Sequence, residues 1–318
     1  MSIVKLGLFL AVVFASSSSS VNGQNVANVV RSNPELTRFS AFLDEAGISP
    51  GLGETIFAPS NAAFDKYGSD FPRLWELYQK PVWFLHLREI MLWHLVTEGQ
   101  FMTKDIFDGG RTQLEVSKGN ITISQRTSTL DGVPRALISE PNITASDGIV
   151  HVVSQVIIPP FMRLTLIEQM LDDQSMKFAF STMANLALFV GLDEEIEKIF
   201  EDGLTFLVPL NIRFIRAEVN VVKLLTEESR EYTKDFILCH VIGDNLYEST
   251  VFAIQKEAEV EQMLVSSWLG TDMWITTTEN ILRFQSTKVI LADQLASNGY
   301  VSKLVCKGSI IWVWKILT

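Results

Sequence analysis

The four histidines of this 318-residue chain, His86, His94, His151 and His240, are the side chains best suited to acid–base or metal chemistry. On one straight helix, His86 and His94 would lie about 12 Å apart along the axis on faces about 80° apart, too far to share a metal. A serine hydrolase would use a strained G-x-S-x-G turn with a His and an acid, and a zinc protease H-E-x-x-H. Neither pattern occurs. Structural zinc needs Cys/His pairs, whereas the only cysteines are Cys239 and Cys306. The acidic runs at 172–174 and 193–202 read as solvated helix faces. These residue types therefore predict no catalytic, cofactor or metal site.

His94 and His240 instead belong to a repeat. The decapeptide TIFAPSNAAF, Thr55–Phe64, returns 150 positions later as TFLVPLNIRF, Thr205–Phe214. His94 in LWHLV answers His240 in LCHVI at an offset of 146, and ASDGIV around Gly148 answers ASNGYV around Gly299 at an offset of 151. Three anchors in the same order indicate a duplicated domain, and 318 residues suit two domains. A histidine recurring in both copies reads as a buried imidazole donating to a backbone carbonyl and fixing local geometry.

The elements that carry these anchors follow from apolar spacing. Leu36, Phe39, Phe42 and Leu43 predict a helix that starts at Asn33–Pro34 and stops at Gly47. TIFA predicts a short strand halted by Pro59, with Ser60 or Asn61 capping the next helical turn. Residues 74–96 predict a helical stretch broken at Pro81. Leu114, Val116, Ile121 and Ile123 alternate about a KGN turn, which predicts a hairpin. The half closes on GIVHVVSQVIIPP, read as an apolar strand ending at Pro159–Pro160. Helices followed by strands make each half α+β.

Composition sets the compartment and the excluded partners. The 37 acidic residues exceed the 26 basic ones, for a net charge of −11, which argues against nucleic acid. Lys5, the apolar run Leu6–Ala15 and the small residues to Gly23 predict a signal peptide over 1–23. That run is too short to span a bilayer, so the mature chain is expected to carry no transmembrane segment. One Cys239–Cys306 bridge is conceivable, and stability must come mainly from packed cores. The sequons at Asn120 and Asn142 are candidate N-glycosylation sites in a secreted chain.

These motifs resemble the fasciclin-type (FAS1) domain family. Thr55, Phe57, Pro59, Asn61 and Phe64 resemble its first motif, His94 its central histidine, and Gly148, His151 and Pro159 its second motif. The second half resembles it through Thr205, Pro209, Asn211, Phe214, His240 and Gly299. The resemblance implies two tandem α+β domains, 24–160 and 161–318, each a twisted β-sandwich wedge with packed helices. It implies a secreted, non-enzymatic role in adhesion or matrix interaction, with extracellular proteins or glycans as partners and no cofactor. It also implies a cell-binding patch around Trp93 and His94, and an adhesive element at Glu140, Pro141 and Ile143. Asn142 stands there in place of an aspartate, which removes the carboxylate that an integrin metal would bind.

The second copy departs from the pattern at its end. Ser302 stands where His151 stands, and SIIWVWKILT replaces the proline-terminated strand. Either this half closes in a divergent strand, or the reading frame is lost at Val301–Ser302, a dipeptide that a splice-donor sequence can encode. The tail is too short and carries Lys315, so no lipid-anchor signal is expected. The alternative function is a secreted carrier of a small hydrophobic ligand or glycan.

Overall fold

The computed structural model describes residues 23–305, apart from 52, 118, 132–134, 173–178, 200–202, 244–245, 247, 279–280, 286 and 298. The predicted signal peptide (Gly23 excepted), Asn298, Cys306, the C-terminal tail and most of the 172–174 run lie outside these residues. Packing divides the chain into two units. The first runs to Asp70 and resumes over Arg88–Ile157; the second comprises Phe71–Leu87 and the chain from Ile158 onward. The units are thus not the two halves of the sequence in simple succession.

The first unit opens with α1 (Val26–Ser32) and α2 (Thr37–Glu45), the latter entered through a 3-10 turn at Pro34–Leu36. Leu36, Phe39 and Leu43 are buried, and Gly47 ends the helix at φ 62°, a conformation that glycine adopts without a Cβ penalty. Strand β1 (Glu54–Pro59) leads into α3 (Asn61–Asp70), which Ser60 caps by accepting the Ala63 N–H at 3.1 Å. The chain then forms α4 (Pro72–Tyr78), which belongs to the second unit, and α5 (Phe84–Leu92), which returns to the first at Arg88; a 3-10 turn at Pro81–Trp83 separates them, as the proline requires. They lead to β2 (Leu95–Val96) and α6 (Thr103–Phe107).

Five strands complete this unit: β3 (Gln113–Val116), β4 (Gly119–Ser124), β5 (Thr129–Asp131), β6 (Ala136–Thr144) and β7 (Gly148–Val153). The predicted hairpin is β3–β4, with Leu114 opposite Ile121 and both buried. Each strand pairs with the next, and β7 returns to β1 in parallel register from Glu54↔Gly148 to Pro59↔Val153. The strands therefore form a closed ring, which leaves no unpaired edge. Pairing of β7 ends at Val153, six residues short of the predicted stop at Pro159. Val156–Ile158 remain buried, but the Ile157 N–H goes to a histidine ring rather than to a strand.

The second unit repeats the order. Helices α7 (Leu166–Leu171), α8 (Ser181–Val190) and α9 (Leu192–Ile199) precede β8 (Thr205–Pro209), α10 (Asn211–Arg216), α11 (Val221–Leu224), α12 (Arg230–Leu238) and β9 (Val241–Ile242). Then come α13 (Glu248–Glu257), β10 (Gln262–Ser266), β11 (Asp272–Thr278), β12 (Ile281–Phe284), β13 (Thr287–Ala296) and β14 (Gly299–Val305). Strand β14 pairs with β8 in parallel, as β7 does with β1. Ser302 lies opposite Leu207 where His151 lies opposite Phe57, so the backbone keeps the register although the histidine is gone. Strand β9 meets Ser267, the residue just after β10, at the isolated bridge Ile242↔Ser267, where the first unit has Val96↔Val116.

Candidate functional site

The repeated decapeptide is an internal bracket. Thr55 is fully buried; its Oγ1 donates to the Gly99 carbonyl at 2.8 Å and accepts the Phe101 N–H at 2.8 Å. The equivalent Thr205, also buried, accepts the Leu246 N–H at 2.9 Å. A buried hydroxyl must find such partners, and here they pin the loop that follows β2 or β9. Asn61 does not cap its own helix. Its Oδ1 accepts the Arg38 N–H at 3.0 Å and its Nδ2 donates to the Pro34 carbonyl at 2.9 Å, so it caps α2 from a distance. Asn211 does the same for α8, accepting the Thr182 N–H at 2.9 Å and donating to Ser181 Oγ at 3.0 Å. Phe64 and Phe214 fill the two cores, while Pro59 and Pro209 end the parallel ladders opposite Val153 and Leu304.

The histidines are likewise spent on architecture. His94 is fully buried; Nδ1 donates to the Ile90 carbonyl at 2.8 Å and Nε2 accepts the Ile157 N–H at 2.9 Å. His151 is fully buried against the Phe57 ring; Nε2 donates to the Phe101 carbonyl at 2.8 Å and Nδ1 accepts the Asn142 N–H at 3.1 Å. Each is thereby fixed as one neutral tautomer. Desolvation pushes both down to about 4, outweighing the carbonyl bond that favours the charged form. His240 donates from Nδ1 to the Phe236 carbonyl at 2.9 Å, and burial lowers it too. His86 lies in the second unit, stacked on Tyr78 and against Trp83, with Nε2 3.1 Å from the Ala296 carbonyl.

The resemblance-based adhesion surface needs correction. Trp93, His94 and Ile143 are buried, so LWHLV is chiefly a packing element, with Leu92 alone of its residues half-buried. Glu140 is exposed and Pro141 half-buried, and these two alone of the five reach the surface. Pro141 has no N–H to give a ladder, and the β6–β7 register shifts between Glu140 and Ile143. Asn142 sits in this bulge at φ 60°, a left-handed conformation that asparagine tolerates. It is also buried: Oδ1 accepts the Thr103 N–H at 2.8 Å and Nδ2 donates to Thr103 Oγ1 at 2.9 Å. In the folded domain Nδ2 of this sequon therefore faces Thr103 and not solvent. Asn120 is exposed on β4. Cys239 is half-buried, with its sulfur 3.8 Å from Thr271 Oγ1, and its proposed partner Cys306 lies outside the described residues.

Two roles have little sequence signal, because both require knowing what lies opposite. Asn142 reads in the sequence as a sequon, and its bonds to Thr103 from 39 positions away give it a structural role as well. The Tyr78–Trp83–His86 cluster looked like part of the first half, until packing joined it to the second unit. Gly148 could be read from ASDGIV, and the structure supplies its reason: a Cβ there would lie 2.6 Å from both the Glu54 carbonyl oxygen and Val26 Cγ2. Among the described residues, no group of three or more His, Cys, Asp or Glu is placed to hold a metal. Among those residues, too, no helix is long and apolar enough to cross a membrane.

Comparison with known proteins identifies the family of this chain. Stabilin-1 of Mus musculus is 26% identical over 142 residues, and human Stabilin-1 25% over 142; each match covers 43% of this chain and 5% of the relative. The aurofusarin biosynthesis cluster protein S of Gibberella zeae is 22% identical over 203 residues, covering 46% of this chain and 48% of that protein. The chain thus spans less than half the length of these relatives. A solved FAS1 domain pair from the insect cell adhesion molecule Fasciclin I aligns at a TM-score of 0.45 and 15% identity, covering 86% of this chain and 97% of that one. The description "Fasciclin domain" fits residues 34–159 and again 178–304, most of the sequence. The chain belongs to the fasciclin domain family, with two such domains in tandem.

Proposed function

We propose that this protein is a secreted, non-enzymatic interaction module that binds proteins or glycans of the cell surface or matrix through its fasciclin domains. The observation that carries this reading is the use made of the repeated residues. Thr55 and Thr205, Asn61 and Asn211, and His94 and His240 all bond inward to the backbone or to neighbouring side chains of their own unit. A side chain engaged in this way supports a scaffold, and binding is then left to the outer faces. The charged start and apolar run at the N-terminus support secretion with cleavage after Gly23, and exposed Asn120 is the sequon we assign to a glycan.

The test passes native extracellular material over the immobilised mature full-length protein and reads the bound fraction by mass spectrometry and glycan analysis. Enrichment of surface or matrix proteins or glycans over a blank column is the expected result. Recovery no different from the blank column overturns the reading.

A further inference from the structure

We propose that β10 (Gln262–Ser266) is a docking edge for a second copy of this chain, the two β10 strands pairing antiparallel, Leu264 opposite Leu264, in a two-fold dimer. This goes beyond the interaction reading above and does not rest on it. The strands of the first unit close a ring, whereas those of the second form a seven-stranded sheet with β10 at one end and β9 at the other. Among the described residues, these ends meet at the bridge Ile242↔Ser267, where the Trp268 N–H donates to the Val241 carbonyl at 2.8 Å. Along an antiparallel strand, residues alternate between bonding to one neighbour and bonding away from it. The Ser267 N–H donates to the Thr271 carbonyl at 2.9 Å, and the carbonyl of Trp274, opposite Leu264, accepts the Gln285 N–H at 2.6 Å. Met263 and Val265 therefore bond to β11, and Gln262, Leu264 and Ser266 aim their backbone groups at the open edge.

The side chains show the same opening. Met263 and Val265 face the core of the unit yet are only half-buried. Leu114, the counterpart of Val265 when the two bridges are aligned, is fully buried. The first unit also guards this edge of β3 with Glu98, whose Oε1 accepts the Glu115 N–H and pairs with Arg111, each at 3.1 Å. Strand β10 carries none of the devices that keep edges apart: it has no charge, no proline and no register shift.

The geometry selects the occupant. Ile242 takes the edge at Ser267, so the open window is Gln262–Ser266. Two copies of β10 fill that window together with Leu264 opposite Leu264 and Gln262 opposite Ser266, and the outward backbone groups then meet as hydrogen-bonded pairs. Leu264 and Trp274 stand opposite each other on the outer face, 48% and 47% exposed. The two-fold joins both copies of this pair in one apolar row across four strands, roughly 14 Å wide at the usual strand spacing. A net charge of −11 repels one copy from another over most of the surface, which favours contact at an uncharged strand. Asp272, on the same face, accepts from Ser266 Oγ at 2.6 Å and would lie beside the neutral Gln262 of the second copy. The two Asp272 carboxylates would stand roughly 20 Å apart, beyond the Debye length of about 8 Å, and Glu261 falls opposite Ser267. Five residues a side bury far less than the ~800 Å² per partner of a stable interface, so the dimer is weak, and its two-fold closes it at two.

The experiment is sedimentation equilibrium of the mature full-length protein up to about 1 mM, a range suited to an interface of this size. A monomer–dimer equilibrium is expected. L264K and L264E each place like charges face to face and should weaken the dimer at least tenfold with the thermal midpoint unchanged, whereas an equimolar mixture of the two should restore it. In the wild type, amide exchange at Gln262 and Leu264 should slow roughly threefold or more between dilute and concentrated samples. A monomer throughout, growth beyond the dimer, or a mixture that associates no better than either variant overturns the proposal. A dimer whose β10 amides exchange as in the monomer overturns it by placing the contact elsewhere. Protection of those amides in a monomer only when extracellular material is added overturns it in favour of an extended segment of another protein.

Discussion

At the residue scale, the two buried histidines of the first unit make its stability depend on acid. His94 and His151 each accept a backbone N–H, from Ile157 and Asn142 respectively. Protonation would turn each acceptor into a donor facing a donor. Both groups sit at about 4 in the folded state against an ordinary value of about 6.5, so the unfolded chain binds protons more readily. Their contribution is complete above about pH 6.5 and is lost as pH falls from there toward 4, at roughly 3 kcal/mol for each group. Urea unfolding across that range should show the midpoint of the first unit falling steadily, and the H94Q variant should show a shallower acid slope. A midpoint constant from pH 7 to 4 would show that neither imidazole is held neutral by the fold.

At the element scale, the parallel pairing of β1 with β7 is the joint that closes the first ring, and its first pair is Glu54↔Gly148. The missing side chain at Gly148 lets α1 and the start of β1 approach the turn before β7. The Val26 N–H also bonds to Asp147 Oδ1 at 2.6 Å, adding to the same corner. G148A places a methyl 2.6 Å from a backbone oxygen, which cannot swing aside as a flexible side-chain tip would. The expected cost is about 1–3 kcal/mol, the usual penalty for overpacking, read as a lower thermal midpoint. Faster amide exchange over Val26–Ser32 and β7 should accompany it. An unchanged midpoint would mean that the corner relaxes freely and that Gly148 has no packing role.

At the scale of the whole molecule, sequence order and packing part company over Phe71–Leu87. This segment lies between the first decapeptide and His94, yet it packs with the second unit, where His86 reaches the Ala296 carbonyl. Tyr78 and Trp83 are almost fully buried there. A fragment ending at Pro160 keeps this apolar segment and loses the rest of its unit. Such a fragment should bind the hydrophobic dye ANS strongly and unfold less cooperatively than the full chain. Dye binding equal to that of the full chain, with a sharp transition, would show that the segment can pack within its own half.

Much of this molecule was legible in the sequence because it is local or repeated. The period-two alternation at Leu114–Ile123 fixed a hairpin, Pro81 broke a helix, and the copied decapeptide announced two domains of one family. Such features follow from backbone sterics and from side-chain spacing within a few residues, so they are written where they act. Contacts between distant residues were decided by the tertiary structure alone. It turned Asn61 toward α2, buried Asn142 against Thr103, buried Trp93 and gave Phe71–Leu87 to the second unit. It also set Trp274 and Leu264 outward, although each is flanked by apolar residues in the sequence. A residue's type states what it can bond; only the fold brings the partner from tens or hundreds of positions away and determines whether water is left beside it.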